Sequence, residues 1–327
     1  MATAANRLGF VDDEKKWSEI AERGAQSYNR LYFSSLEGLY KDIECTAIGE
    51  KRQGPCHNSS ATADSELSKQ TAQALPLFLN LPRTNDDRER VGKAMADDVL
   101  HGTYPGRTTT GLVGTKYILP ELVKAGYAEA ALTIATNMQY PSWGRMLPST
   151  VHPLGQGEGT LWENWEGDKH KGFGSRNHIM LGGFDGPYFF GNLAGITNTG
   201  LAWSTIGIAP TPCGDLTVVD ATVATIRGDI KVKWARPHLK SMNFILNVSI
   251  PGNSIARLRI PILLNGTASS VDLFEKGIRF WGGCSGYIPD LVPGIDGTKP
   301  GKNAAGNHFD VSIRSGTYEF MLQSASE

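Results

Sequence analysis

Residues 229–250 read DIKVKWARPHLKSMNFILNVSI, and along most of them the apolar positions fall on every second residue. Asp229, Lys231 and Lys233 alternate with Ile230, Val232 and Trp234. Asn243, Ile245, Asn247 and Ser249 alternate with Phe244, Leu246, Val248 and Ile250. A period of two sends successive side chains to opposite faces of a strand, one face buried and one wet. Residues 254–262, 308–314 and 317–323 repeat the pattern between Gly, Asn and Pro. Several short strands with turn signals between them predict an antiparallel β-sandwich.

Upstream of about residue 205 the period changes to that of a helix. Trp17, Ile20, Ala21, Gly24, Tyr28 and Leu31 fall three and four apart, behind the N-terminal acids Asp12 and Asp13. Leu67, Thr71, Ala74, Leu75 and Phe78 form a second such set, with Ser65 as its cap. Val91, Met95 and Val99 mark a third, opened by Asp86 and Asp87. Pro120 is read in the first turn of a helix ending at Gly126, and Tyr127, Ala130, Ala131, Ile134 and Met138 continue on another. A helix pair is expected from Ile179 to Leu193. Between these elements lie Gly-rich loops at 101–116 and 141–178, and long ordered loops on a helical scaffold are where function concentrates. The chain thus divides into a helical segment, residues 1–205, and a sandwich, residues 206–327.

Composition narrows the function classes. The 327 residues are 40% hydrophobic and 20% charged, enough for a large packed core. Lys plus Arg is 32 against 33 for Asp plus Glu, a balance that argues against nucleic acid or an anionic membrane as partner. No apolar run reaches the roughly 18 residues of a membrane span. The start, MATAANRLGFVDDEKKW, lacks the order of a secretory signal, and the compartment stays open. Cys45, Cys56, Cys213 and Cys284 show no zinc spacing; Cys45 and Cys56 could close a loop or stay free thiols. No cofactor or metal motif is found: HExxH, GxSxG, P-loop and dinucleotide fingerprints lack a supporting context.

The densest chemistry lies at 155–178, GQGEGTLWENWEGDKHKGFGSRNH. Glu158, Glu163, Glu166 and Asp168 sit among Trp162, Trp165, His170 and His178. Hydrolysis of a glycosidic bond uses paired carboxyls, and aromatic rings can wall the sugar. Glu163, with tryptophans at −1 and +2, suits a partly desolvated base. The same pattern also fits a helix-start acid beside core tryptophans. His178 reads as a donor to a sugar hydroxyl or as a satisfied core histidine. The Gly-rich TTTGLVGTK at 108–116 lacks the ending of a phosphate loop and reads as a tight turn at the mouth of a cavity.

Taken in order, five stretches resemble one family. They are QTAQALPLFLNLP (70–82), TTTGLVGTKYILPELVKAGYAEAALTIATNMQYPSWGRML (108–147), GTLWENWEG (159–167), SRNHIMLGGFDGPYFFGNLAGI (175–196) and IGIAPTPCGDLTVVDATVATIRGDIKVKW (206–234). Together they look like the second half of the catalytic domain of bacterial and fungal α-L-rhamnosidases, glycoside hydrolase family 78, and the passage into its C-terminal sandwich. The resemblance implies an (α/α)6 barrel, partial in this chain, whose mouth hydrolyses terminal α-L-rhamnosyl units of glycosides or polysaccharides with inversion. It implies Glu163, in Thr-x-Trp-Glu-x-Trp, as the general base and His178, in Ser-x-Asn-His, as a sugar contact. Trp162 and Trp165 match the motif's aromatics, and Trp143 matches its Pro-Ser-Trp-Gly turn. The lead into the motif, Gly-Glu-Gly-Thr, carries an added Glu158, and the loop from Glu163 to His178 is short. The family's general-acid motif, Asp-Glu-Arg-x-Gly-Trp, does not occur in this sequence, as though the chain starts halfway round the barrel. Two alternatives follow: a rhamnose-binding or structural remnant without turnover, and a rhamnosyl-glucuronate lyase on a similar barrel, with a Tyr, His or Lys base.

Overall fold

The computed structural model of the chain describes residues 1–41, 69–165, 175–184 and 186–325. The expected cap Ser65 and the pair Cys45 and Cys56 lie outside the described residues, as do Glu166, Asp168 and His170.

Among the described residues six α-helices come first: α1 (Ala2–Leu8), α2 (Val11–Tyr32), α3 (Lys69–Phe78), α4 (Asn85–His101), α5 (Leu112–Lys124) and α6 (Ala128–Thr136). A two-residue ladder, β1 (Phe33–Ser34) with β2 (Leu39–Tyr40), follows α2. The start of α4 shows how local chemistry sets a boundary. Thr84 Oγ1 accepts the Asp87 N–H at 3.0 Å, and Asp86 and Asp87 complement the positive end of the helix. Helices α3 to α6 bury Leu77, Val91, Met95, Val99, Ile118, Leu119, Leu122 and Ile134 in one core with Tyr188. Each large apolar side chain so buried contributes about 1.5–3 kcal/mol. The apolar face of α2 is less covered, with Ile20 and Leu31 exposed.

Pro120 is not in a first turn. The helix begins eight residues earlier, at Leu112, and carries Pro120 within it. Gly114, which looked like part of a turn, lies inside α5 where a Cβ would collide with Thr71 of α3 and with Thr110. It is a close-packing glycine, so the loop before α5 narrows to 102–111. The expected pair at 179–193 is a 3-10 turn (Ile179–Gly182) followed by a π-helical turn (Gly186–Leu193).

The strands are β3 (Ile196–Asn198), β4 (Thr205–Ile208), β5 (Val218–Thr225), β6 (Gly228–Ala235) and β7 (Phe244–Pro261). They continue with β8 (Val271–Glu275), β9 (Ile278–Gly282), β10 (Gly286–Tyr287), β11 (Ile295–Asn303) and β12 (Gly306–Ser324). The change from helix to strand therefore falls between Leu193 and Ile196, ahead of residue 205. Where four short strands were expected, two long ones run: β7 joins 243–250 to 254–262, and β12 joins 308–314 to 317–323. They pair antiparallel along their length, with a register shift between Arg314 and Gly316. The first half of β7 pairs β6 and the second half pairs β4; the first half of β12 pairs β11 and the second half pairs β8. The long strands thus serve both layers of the sandwich, around one core that includes Trp234, Phe244, Phe280, Phe309 and Phe320. The sandwich is not wholly antiparallel, because β4 runs parallel to β7.

The two cores meet at Leu216 and Val219, which pack against both. Trp234 Nε1 donates to the Leu193 carbonyl at 2.7 Å, and the Gly214 N–H donates to Glu129 Oε1 at 2.7 Å.

Candidate active site

A three-residue turn, 125–127, joins α5 to α6, and the connection before α5, 102–111, meets the one that begins after α6 at residue 137. Asn137 Nδ2 donates to the Gly106 carbonyl at 2.9 Å, tying the two together. After the turn Gly144–Met146 the longer connection doubles back on itself. Gln156 N donates to the Arg145 carbonyl at 2.8 Å, Gly157 N to Leu147 at 3.1 Å and Gly159 N to Met146 at 3.0 Å. A Cβ at Gly155 or Gly157 would strike those carbonyls, so glycine is required for this close return.

The return brings the motif into place. Glu163 N donates to the Ser175 carbonyl at 2.8 Å, and His178 N donates to the Leu161 carbonyl at 2.7 Å. Glu163 and His178 therefore sit on two facing segments of one short ladder. Glu163 is half-buried as a residue, and its Oε2 accepts the Ser175 N–H at 2.7 Å. One oxygen is fixed by a backbone donor, which orients the carboxylate. His178 opens the 3-10 turn, its Nδ1 accepting the Met180 N–H at 3.4 Å. The neutral ring then carries its proton on Nε2, a donor suited to a hydroxyl oxygen.

Two tryptophans stand beside this ladder. Trp143 and Trp165 meet edge to face, centroids 5.3 Å apart at 83°. Each ring is held at its nitrogen: Trp143 Nε1 donates to Leu181 at 2.8 Å, and Trp165 Nε1 to the Thr110 carbonyl at 2.7 Å. Trp143 also packs on Phe184, centroids 4.2 Å apart. Trp162 differs from the other two. It is 6% exposed and turned into a small core with Met146 and Leu181, so it backs the site and is not an open face.

The reading of the sequence missed what holds the Thr110 carbonyl. Gln70, fully buried on α3, accepts the Thr109 N–H at 2.7 Å through Oε1. Its Nε2 donates to Asp98 Oδ2 at 3.0 Å and to the Arg107 carbonyl at 3.1 Å. The hydroxyls of Thr108 and Thr110 lie 2.7 Å apart, and those of Thr110 and Thr115 3.0 Å apart. Thr115 gives its proton to the Gly111 carbonyl at 2.8 Å, so the donors run Thr108 to Thr110 to Thr115 to Gly111. Polar residues at 108–110 hinted at a mouth turn, but nothing in the spacing marked Gln70.

Cys213 lies in the helical core. Burial pushes the Cys213 thiol up to about 12, which keeps it protonated at neutral pH. Among the described residues no group of three or more His, Cys, Asp or Glu is placed to hold a metal ion.

The chain as a whole is similar to known proteins. A family model described as the bacterial alpha-L-rhamnosidase 6 hairpin glycosidase domain matches residues 1–192. A second, the bacterial alpha-L-rhamnosidase C-terminal domain, matches residues 195–272. An alpha-L-rhamnosidase of Streptomyces avermitilis is 30% identical over 207 residues, covering 61% of this chain and 19% of that protein. One of Formosa agariphila is 24% identical over 266 residues, covering 80% of this chain and 24% of that protein. The solved alpha-L-rhamnosidase of Dictyoglumus thermophilum superposes with a TM-score of 0.74 at 26% identity, over 98% of this chain and 30% of that one. The Streptomyces avermitilis enzyme solved with L-rhamnose superposes at 0.67 and 21% identity, over 98% and 25%, a likeness of fold. The chain spans less than a quarter of the length of either curated relative.

Proposed function

The chain belongs to the bacterial α-L-rhamnosidase six-hairpin glycosidase family, and from that membership we propose that it hydrolyses terminal α-L-rhamnosyl units of a glycoside or polysaccharide with inversion, Glu163 acting as general base. Glu163 takes a proton from water as the water oxygen bonds to the anomeric carbon. The glycosidic carbon–oxygen bond breaks on the opposite face, and the leaving oxygen takes a proton from a second carboxyl in reactions of this type. The base half of that chemistry is what Glu163 is assigned. His178 donates Nε2–H to a sugar hydroxyl, and Trp143 and Trp165 wall the ring, backed by Trp162.

One observation carries the reading: a carboxylate oriented by the Ser175 N–H at 2.7 Å shares a ladder with a histidine donor, beside two rings locked edge to face. The binding-only and lyase alternatives draw no support from the family matches. Titration with L-rhamnose, followed by tryptophan fluorescence, tests the pocket. A saturable change is expected, weakened about tenfold in His178→Ala, the loss of roughly one hydrogen bond. No saturable change, or an equal response to D-glucose, overturns the assignment.

A further inference from the structure

A cavity of about 510 Å³ lies beside the sandwich, between the 210–212 segment, the chain just past β6, the turn after β7 and the β11–β12 turn. It is at the other end of α5 from the candidate site. The β11–β12 turn meets the turn after α5, where a Cβ at Gly126 would strike the Ala304 carbonyl, whereas Thr110 stands before α5. Thirteen residues of helix, about 20 Å, separate those ends. The fold holds the walls in place. The Ile262 N–H donates to the Asn307 carbonyl at 2.9 Å, and Asn307 Nδ2 donates to the Gly266 carbonyl at 2.8 Å, which clamps the turn after β7 onto β12.

The lining sets apolar side chains beside uncompensated positive charge. Pro212, Leu239, Pro261 and Leu263 supply apolar surface, Arg236 and Lys302 supply the charge, and no Asp or Glu is among the lining residues. Arg236 is 9% exposed. Its Nε donates to the Leu216 carbonyl and its Nη2 to the carbonyls of Cys213 and Gly214. Nη1 makes no hydrogen bond, and it is not sealed from solvent as the Nε atoms of Arg107 and Arg145 are. It is the donor that Arg236 has left to offer. Three carbonyls satisfy the other N–H groups but leave the net charge in place. Among the described residues neither Arg236 nor Lys302 forms an ion pair, and Glu129, on the neighbouring helix, is bonded to the Gly214 N–H. A charge so far removed from water attracts an anion more strongly than an exposed one does.

We infer that this cavity is a second ligand site, which takes a small organic carboxylate with an apolar body. Arg236 Nη1 donates to a carboxylate oxygen, Lys302 adds its charge from an exposed position, and the prolines and leucines take the hydrocarbon. The volume falls within the roughly 300–1,000 Å³ of small-molecule sites, and the mixture of apolar wall and few polar groups is theirs as well. Bare phosphate is a poorer match, because it needs donors on several sides and the guanidinium has a single nitrogen to give. The inference does not depend on the role of Glu163.

Benzoate, its neutral isostere benzamide and inorganic phosphate, each titrated into the full chain by calorimetry, test the site. Benzoate is expected to bind about tenfold tighter than benzamide, the worth of one charge-assisted hydrogen bond, and tighter than phosphate. Leu239 is 44% exposed, so Leu239→Trp fills the cavity with little effect on the fold and is expected to abolish benzoate binding. Lys302→Gln is expected to weaken it about twofold to threefold, as suits an exposed charge. Arg236→Gln is expected to remove the preference over benzamide, with circular dichroism verifying that the variant is folded. Arg236 also holds the 213–216 segment, so if that variant unfolds, Leu239→Trp carries the test by itself. Absence of benzoate binding, equal affinity for benzoate and benzamide, or binding undiminished in Leu239→Trp overturns the inference. Phosphate bound as tightly as benzoate also overturns it.

Discussion

The side chains of Glu163, His178 and Trp165 are each held by one bond to the backbone, and at this scale each bond has a separable effect. The Trp165 Nε1 bond to Thr110 fixes the angle of one ring against Trp143. Trp165→Phe keeps an aromatic ring and loses the anchor. It should weaken rhamnose binding several-fold while lowering the stability of the chain by only about 1 kcal/mol, the net worth of one neutral hydrogen bond. Parallel titrations and thermal melts check the split; a melt shifted by several kcal/mol with affinity unchanged would make Trp165 a core residue. Residue identities here were legible in the sequence because the motif groups them within a short stretch. Their roles were less so. Trp162 and Trp165 look alike in Leu-Trp-Glu-Asn-Trp, yet one is buried and the other held at the site, because Trp162 falls beside Met146 and Leu181 after the loop returns.

At the scale of elements, the turn before α5 behaves as a rigid part of the site. Gln70 pins its backbone from α3, and the hydroxyl relay from Thr108 to Gly111 fixes its other end. Thr110→Val keeps the shape and breaks the relay, leaving the Thr108 donor and the Thr115 acceptor unmatched. It should cost about 1–3 kcal/mol of stability and displace the carbonyl that holds Trp165. Thr110→Ser retains the hydroxyl and should restore both melting temperature and rhamnose affinity. If Val and Ser behave alike, the relay does not position Trp165. The helices themselves were readable from period and caps, as the start of α4 shows. Boundaries failed where one residue type serves two ends. Pro120 and Gly114 look like start and turn signals, but both are spent on packing α5 against its neighbours, which no local pattern reveals. The long strands β7 and β12 were likewise read as pairs, because Pro251 and Gly252 in one and Gly316 in the other resemble turns although pairing continues past them.

For the whole molecule, a helical layer and a two-layer sandwich are joined by specific bonds. Arg236 ties the 213–216 segment to β6, and Glu129 reaches across to Gly214. Both parts were visible in the change of period, but the parallel pairing of β4 with β7 was not, because local alternation does not encode strand direction. The candidate site lies on the loops of the helical layer, and the proposed hydrolysis is expected to depend on Glu163. A nitrophenolate leaving group departs readily without protonation, so an aryl rhamnoside isolates the base half of the reaction from any need for an acid. The most direct test is therefore release of nitrophenol from 4-nitrophenyl α-L-rhamnoside by the unaltered chain and by Glu163→Gln. Release that falls by about 10²-fold or more in the variant, with KM little changed, is the predicted result. Equal rates in the two proteins, or no release from the unaltered chain, would contradict it.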